Sequence, residues 1–210
     1  MILYLIRHGE SVSNAAGRIQ GQLDIPLSDL GQRQSAALAR YLSQIPLDAV
    51  ISSPLRRAAE TAAPIAASQG LSVRYEPLLR EIHAGVFQGL LWSEISERYP
   101  DYAAPWLGQE PDFIIPGGES RRQLQTRGMA GLAAVRALGL RTVAIVAHGG
   151  VLSAALKGYL EIPCQRRCIS LCNASISKVR WEEEFQLVTL NQLEHLRAEG
   201  LDREDNTGNL

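Results

Sequence analysis

The first strongly apolar stretch, Ile2–Ile6, shows no alternation of apolar and polar positions and is rich in β-formers. Such a run predicts a strand buried on both faces. Leu38, Leu42 and Ile45 then recur at i, i+4 and i+7 behind Ser28, which predicts a capped helix over residues 29–44. Ala49–Ser52 reads as a short buried strand. Ser53-Pro54 follows it as an N-cap with proline at the first helical position. Pro64 lies within the helical pattern and should kink or end that helix near Ala63. Val73–Tyr75 suits a short strand. Trp92, Ile95 and Tyr99 mark a helix closed by Pro100, and the stretch Tyr102–Gly118, with Pro105, Pro111 and Pro116, reads as a loop. Helix returns over 120–138. Thr142–Ala147 is the second strong apolar run, and Gly149-Gly150 predict a tight turn into a helix ending near Leu160. Residues 175–181 and 185–190 form an expected hairpin around Glu182–Glu184, and the polar tail beyond Glu199 is expected to fray. Strands alternating with helices predict a three-layer α/β sandwich: a mostly parallel sheet, helices on both faces and an antiparallel C-terminal edge. One domain over 1–210 is expected.

Composition narrows the function classes. Hydrophobic residues at 46% and charged residues at 20% exclude disordered, collagen-like and coiled-coil chains. A net charge of −1 provides no global field for nucleic acid or an anionic membrane, so neither is expected as a partner. Any anion site must concentrate positive charge locally. Arg outnumbers Lys by 19 to two (Lys157 and Lys178), and Arg is the better fork for phosphate or carboxylate. Ile2–Ile6 is too short for a signal peptide or a membrane span, so the expected location is the cytoplasm. Cys164, Cys168 and Cys172 are odd in number and lack a neighbouring histidine, which favours free thiols over disulfides or zinc.

Two histidines directly follow predicted strands: His8 in Arg7-His8-Gly9-Glu10, and His148 in Ala147-His148-Gly149-Gly150. Ser53-Pro54-Leu55-Arg56-Arg57 occupies the same place after a third strand. Open parallel sheets bind ligands at the carboxyl ends of their strands. Three strand ends therefore deliver two histidines and two arginines to one rim. Arg grips phosphate oxygens bidentately, and neutral histidine is a competent nucleophile near pH 7. A single histidine beside glycine would be a turn residue more often than a catalyst; the coincidence of three strand ends is the informative feature.

These residues resemble the histidine phosphatase superfamily, which contains phosphoglycerate mutases and many small phosphatases. The matching strings are Leu5-Ile6-Arg7-His8-Gly9-Glu10-Ser11-Val12-Ser13-Asn14, Arg18-Ile19-Gln20-Gly21, Ser53-Pro54-Leu55 with Arg57-Ala58 and Thr61, Glu81 with Gly85 and Gly89, Pro116-Gly117-Gly118-Glu119-Ser120, and Val146-Ala147-His148-Gly149-Gly150. They occur in family order, and the ordered set is far more specific than any member. The resemblance implies that His8 is the nucleophile and Glu81 the acid for the leaving oxygen. It implies that Arg7, Arg57, His148 and Asn14 hold the phosphoryl oxygens, with Gln20, Gly21 and Gly149 beside them. No metal or other cofactor is implied. Mutases carry Arg and Tyr where Ile82 and Ala84 stand, and a longer basic insertion, so hydrolysis is favoured. The late segment Cys172-Asn173-Ala174-Ser175 and Leu190-Asn191…His195-Leu196 is similar to metal-independent phosphoserine phosphatases, in some of which a histidine near the acid contacts substrate; His83 is the candidate here. The expected partner is a small phosphorylated metabolite, phosphoserine first. A mutase, a phosphatase for α-ribazole phosphate or a sugar phosphate, and a non-catalytic phospho-ligand module remain alternatives. A homodimer is compatible with the sequence.

Overall fold

The computed structural model describes residues 1–203. In chain order its elements are β1 (Ile2–Arg7), α1 (Val12–Ala15), α2 (Asp29–Leu42), β2 (Ala49–Ser52), α3 (Arg56–Ser68), β3 (Val73–Tyr75), α4 (Trp92–Arg98), α5 (Pro100–Leu107), α6 (Arg121–Arg136), β4 (Thr142–Ala147), α7 (Gly149–Tyr159), β5 (Ile176–Trp181), β6 (Phe185–Gln192) and α8 (Glu194–Arg197). The strands form one six-stranded sheet in the order β3-β2-β4-β1-β5-β6. The first four are mutually parallel, and β5 and β6 add antiparallel.

The unbroken apolar runs have the meaning expected of them. Leu3 and Leu5 of β1 join Val143 and Ile145 of β4 in a core shared with α6 and α7. Tyr4 and Ile6 join Ala144 and Val146 in a second core, with α2, α3 and α8. The sheet is thus covered on both faces, which is why its central strands need no polar positions. Parallel register sets Arg7 opposite Ala147, so His8 and His148 emerge at the same level of the sheet. β2 runs parallel to β4 with Ser52 opposite Val146, and Ser53 follows at that edge.

Several local expectations are corrected. Tyr102–Gly118 is not all loop, because α5 occupies Pro100–Leu107. Pro100 sits in its first turn, where its missing N–H costs nothing, and Ala103 and Trp106 bury one stripe at i, i+3. Pro64 does not end α3, which continues to Ser68. Burial of Ala62, Ile65 and Ala66 on the core outweighs the one lost backbone bond. Ser53 does not cap α3; that position is Leu55, without a side-chain bond, and Ser53 Oγ faces His148 instead. Gly149 and Gly150 are the first residues of α7, whose N-cap is His148, rather than a separate turn. The hairpin extends to Gln192.

The segment after Glu199 is docked as far as it is described. Leu201 is buried, its carbonyl accepts from Gln34 Nε2, and Arg203 pairs with Glu10. The remainder of the tail expected to fray lies outside the described residues. Among those described, no helix is long and apolar enough to cross a membrane. Cys164 and Cys172 are buried and Cys168 is exposed, and no disulfide joins the three.

Candidate active site

His8 is fixed from both neighbouring strands. Its N–H donates to Ala147 O at 2.9 Å, and its carbonyl accepts from Ala174 N and from Asn173 Nδ2, each at 3.1 Å. The chain packs closely here: a Cβ on Gly9 would stand 2.7 Å from the backbone oxygen of Gly31, and a Cβ on Gly31 would collide with the backbone of Glu10. The imidazole Nδ1 is 2.6 Å from Gly9 O. A carbonyl only accepts, so Nδ1 carries the proton and Nε2 keeps its lone pair. Nε2 accepts from Arg57 Nε at 3.2 Å.

Arg57 is fully buried and braced in a fork. Nη1 donates to Leu23 O and Nη2 to Gly21 O, both at 2.8 Å. Gly21 itself is left-handed (φ +52), and a Cβ there would collide with Gln88 and Ala84. Arg7 is buried too and donates to Leu171 O. His148 is fully buried with its ring centroid 5.1 Å from that of His8. Its Nε2 meets Ser53 Oγ at 2.8 Å, and its Nδ1 has no hydrogen-bond partner among the described residues.

Burial and the adjacent Arg57 and Arg7 hold His8 well below the usual histidine range, and the bond to Gly9 opposes this. Burial, then Arg57 and His8, do the same to His148. Burial also lowers Arg7 and Arg57 to about 10, which leaves both cationic at neutral pH. The site is thus two neutral imidazoles between two guanidiniums.

Glu81 lies on the N-terminus of α7. Gly150 N donates to its Oε2 at 3.0 Å, and Val151 N and Ile82 N donate to Oε1 at 3.0 and 2.9 Å. Gly150 leaves the room for this, since a Cβ there would collide with Oε1. The backbone around Glu81 is clamped by residues that sequence reasoning did not single out. Arg127 donates to Leu78 O, Arg80 O and Glu81 O, and Gln22 Nε2 also reaches Glu81 O. Arg127 pairs in turn with Glu119, whose Oε1 accepts from His83 N.

The other expected residues divide. Gln20, Gly21 and Gly149 line, with Arg7, His8, Arg57 and Glu81, one cavity of about 410 Å³. Asn14 is buried just behind: its Oδ1 accepts from Ser11 and from Asn173 Nδ2. That leaves its own NH₂ as a donor. His83 does not line the cavity; its Nδ1 accepts from Gly85 N at 3.3 Å. His195 does not line it either, and its Nε2 donates to Ala174 O. The cavity also reaches Trp106, Arg121, Lys157, Arg166 and Arg167, which sequence reasoning missed. The pair Arg121-Arg122 opening a helix, where cations are disfavoured, was the available signal.

The rim therefore carries Arg7, Arg57, Arg121, Lys157, Arg166 and Arg167 against the single carboxylate of Glu81. In a chain of net charge −1, that is the local concentration an anion site demands. A lone-pair nitrogen, a cationic cradle and one carboxylate at the carboxyl edge of a parallel sheet define a hydrolase of the phosphatase type. The chain belongs to the histidine phosphatase superfamily (branch 1), whose family pattern matches residues 3–193. It is 38% identical over 205 residues to an Arabidopsis thaliana metal-independent phosphoserine phosphatase, covering 94% of this chain and 84% of that protein. It is 34% identical over 209 residues to an Escherichia coli O1:K1 protein named Probable phosphoglycerate mutase GpmB, covering 95% and 97%. The structure of a mycobacterial glucosyl-3-phosphoglycerate phosphatase with VO3 superposes with a TM-score of 0.81 at 34% identity, over 90% of this chain and 98% of that one.

The depressed histidines predict a pH dependence of stability. A histidine neutral in the fold but ordinary when unfolded binds more protons in the unfolded state. Stability is then fully present above the unfolded value of about 6.5 and falls as pH drops through it. Urea unfolding at pH 7.5 and 5.5 should show a loss with a slope approaching about 1.4 kcal/mol per pH unit for each such histidine. His8→Gln should flatten that slope; an unchanged slope would mean that His8 is not held neutral.

Proposed function

We propose that this chain is a metal-independent phosphomonoesterase in which His8 Nε2 takes the phosphoryl group from a small phosphorylated metabolite, phosphoserine first among them. One observation carries the reading: the bond from Nδ1 to Gly9 O leaves Nε2 as the only basic ring nitrogen, and Nε2 faces Arg57 in the cationic cavity. The ring arrives with the right tautomer and needs no base to activate it.

Phosphoryl transfer asks a protein chiefly for alignment and charge stabilisation. The Nε2 lone pair forms the N–P bond while the P–O ester bond breaks and its electron pair passes to the leaving oxygen. Arg7, Arg57, the Asn14 amide and His148 Nδ1–H bind the non-bridging oxygens; Ser53 Oγ–H donating to His148 Nε2 fixes that tautomer. Gln20, Gly21 and Gly149 shape the wall beside them. Glu81 enters this step protonated and gives that proton to the leaving oxygen as the P–O bond breaks. Its carboxylate then takes a proton from water, which attacks phosphorus as the N–P bond breaks and the pair returns to Nε2. The charge that a metal would supply is provided by the guanidiniums. His83, turned onto Gly85, has no part in this scheme.

The choice of phosphoserine rests on the Arabidopsis relative. The mutase reading rests on the Escherichia coli relative, and the burial of Ile82 and Ala84 weakens it, because neither can offer a donor where mutases carry Arg and Tyr.

A phosphate-release panel in EDTA tests this. Phosphoserine should lead phosphothreonine, phosphoglycerates and sugar phosphates in kcat/KM, with activity undiminished by the chelator. Activity lost in EDTA and restored by Mg²⁺ would reject the metal-free scheme, and interconversion of 2- and 3-phosphoglycerate without phosphate release would favour the mutase. Glu81→Gln separates the acid role from support. General acid catalysis typically contributes about 10²–10⁴-fold, so the phosphorylation step should fall by that order with phosphoserine and far less with p-nitrophenyl phosphate. Equal losses in the burst rates of both would assign Glu81 to positioning.

A further inference from the structure

The phosphoryl cradle does not account for the whole lining of the cavity. Arg121 is only 7% exposed and lines the cavity, yet among the described residues neither Nη1 nor Nη2 has a hydrogen-bond partner. The plane of its guanidinium is held by Trp106, with Cζ 3.4 Å from the ring centroid. It opens α6 directly after the Ser120 N-cap, a helix with no acidic residue in its first turn. Three costs therefore coincide: a desolvated cation, unmade hydrogen bonds, and positive charge at the positive end of a helix. Its cationic neighbours add a fourth. Arg167 lies close enough to lower it, after burial, to about 10, which still leaves it charged at neutral pH. Lys157 lines the cavity too, with Nζ donating to Cys164 O and Arg166 O. By contrast, Arg57 and Arg127, also buried or half-buried, have their donors satisfied by carbonyls or a carboxylate.

We propose that Arg121, stacked on Trp106 and supported by Arg167, is a specificity residue that binds a second anionic group, a carboxylate or a second phosphate, on the leaving-group side of the substrate. The inference rests on the phosphatase reading and deepens it: the substrate is a phosphomonoester with an anion at its other end. A planar fork held by an aromatic ring suits two coplanar oxygens, so a carboxylate is the better fit. The group meets its ligand already stripped of water, where a charge-assisted bond is strongest. The adjoining wall is the irregular segment 163–170, where Arg166, Arg167 and Cys168 are exposed, so the anion enters by displacing side chains there and the sheet stays in place.

Substrate pairs that differ in one anion read this directly. Phosphoserine is compared with phosphoethanolamine, 6-phosphogluconate with glucitol 6-phosphate, and fructose 1,6-bisphosphate with fructose 6-phosphate; the first two pairs test a carboxylate at short and long reach, the third a phosphate. In the wild type at least one pair should favour the more anionic member by tenfold or more in kcat/KM. Arg121→Met should reduce that ratio to within about twofold, and Arg121→Lys should restore part of it. A melting curve of Arg121→Met no lower than that of the wild type should accompany the loss, since an unpaired buried charge has been removed. No preference in the wild type for any pair, or a preference that survives in Arg121→Met, overturns the proposal. So does a fall in melting temperature with equal losses for both members, which would make Arg121 a packing residue. p-Nitrophenyl phosphate, which has no second anion, separates this failure from the other: turnover of it by the wild type with no pair preference leaves the phosphatase standing, whereas no turnover removes both.

Discussion

The site depends on positive charge kept out of water beside an uncharged ring. Arg57 can donate to His8 Nε2 only while that nitrogen holds a lone pair, and the carbonyls of Leu23 and Gly21 hold its two Nη groups in place, so that on the proposed mechanism its Nε–H passes to a phosphoryl oxygen when the lone pair bonds phosphorus. The same field that keeps His8 neutral favours a phosphoryl dianion when one enters. On the proposed mechanism, one arrangement prepares the nucleophile and binds the group it attacks. Before a ligand arrives, the guanidiniums carry the cost of burial, and the rest of the fold offsets it.

That explains why so much backbone converges on few side chains. His8 is held by the ends of β1 and β4 and by the 173–175 segment, which together remove its freedom to shift with respect to His148. Glu81 comes from outside the sheet. It is delivered by an irregular stretch that Arg127, Gln22 and the Glu119–His83 contact pin in place, and Gly150 leaves the room its carboxylate needs on α7. Stiffness around a cluster of desolvated charges keeps reacting groups within bonding distance without water to mediate.

Much of this was legible in the sequence. Ile2–Ile6 and Thr142–Ala147 carry their burial in plain apolar runs, and parallel pairing of two such runs sets His8 beside His148. The ordered motifs located Arg57 and Glu81. The proline-bearing α5 was not legible, because Pro100 and Pro105 look like breakers until Trp106 has a core to bury in. Pro64 misled in the same way, by a local cost that tertiary packing outweighs. His83 sits close in sequence to Glu81, but its Nδ1 accepts from Gly85 N and it is not among the residues that line the cavity. Arg121 left only a faint trace, a pair of arginines opening a helix, and in an arginine-rich chain that pair is distinguished by what surrounds it in the fold.

The central claim is that His8 Nε2 accepts the phosphoryl group. Wild-type protein incubated with substrate, quenched in alkali and analysed by phosphorus–proton correlation NMR tests it most directly, since phosphohistidine survives base and the two ring isomers give distinct couplings. A nucleophilic His8 gives a single phosphohistidine bonded through Nε2, mapped to the peptide containing His8 and missing from His8→Ala. Phosphate on Nδ1, or label that persists in His8→Ala, would contradict it.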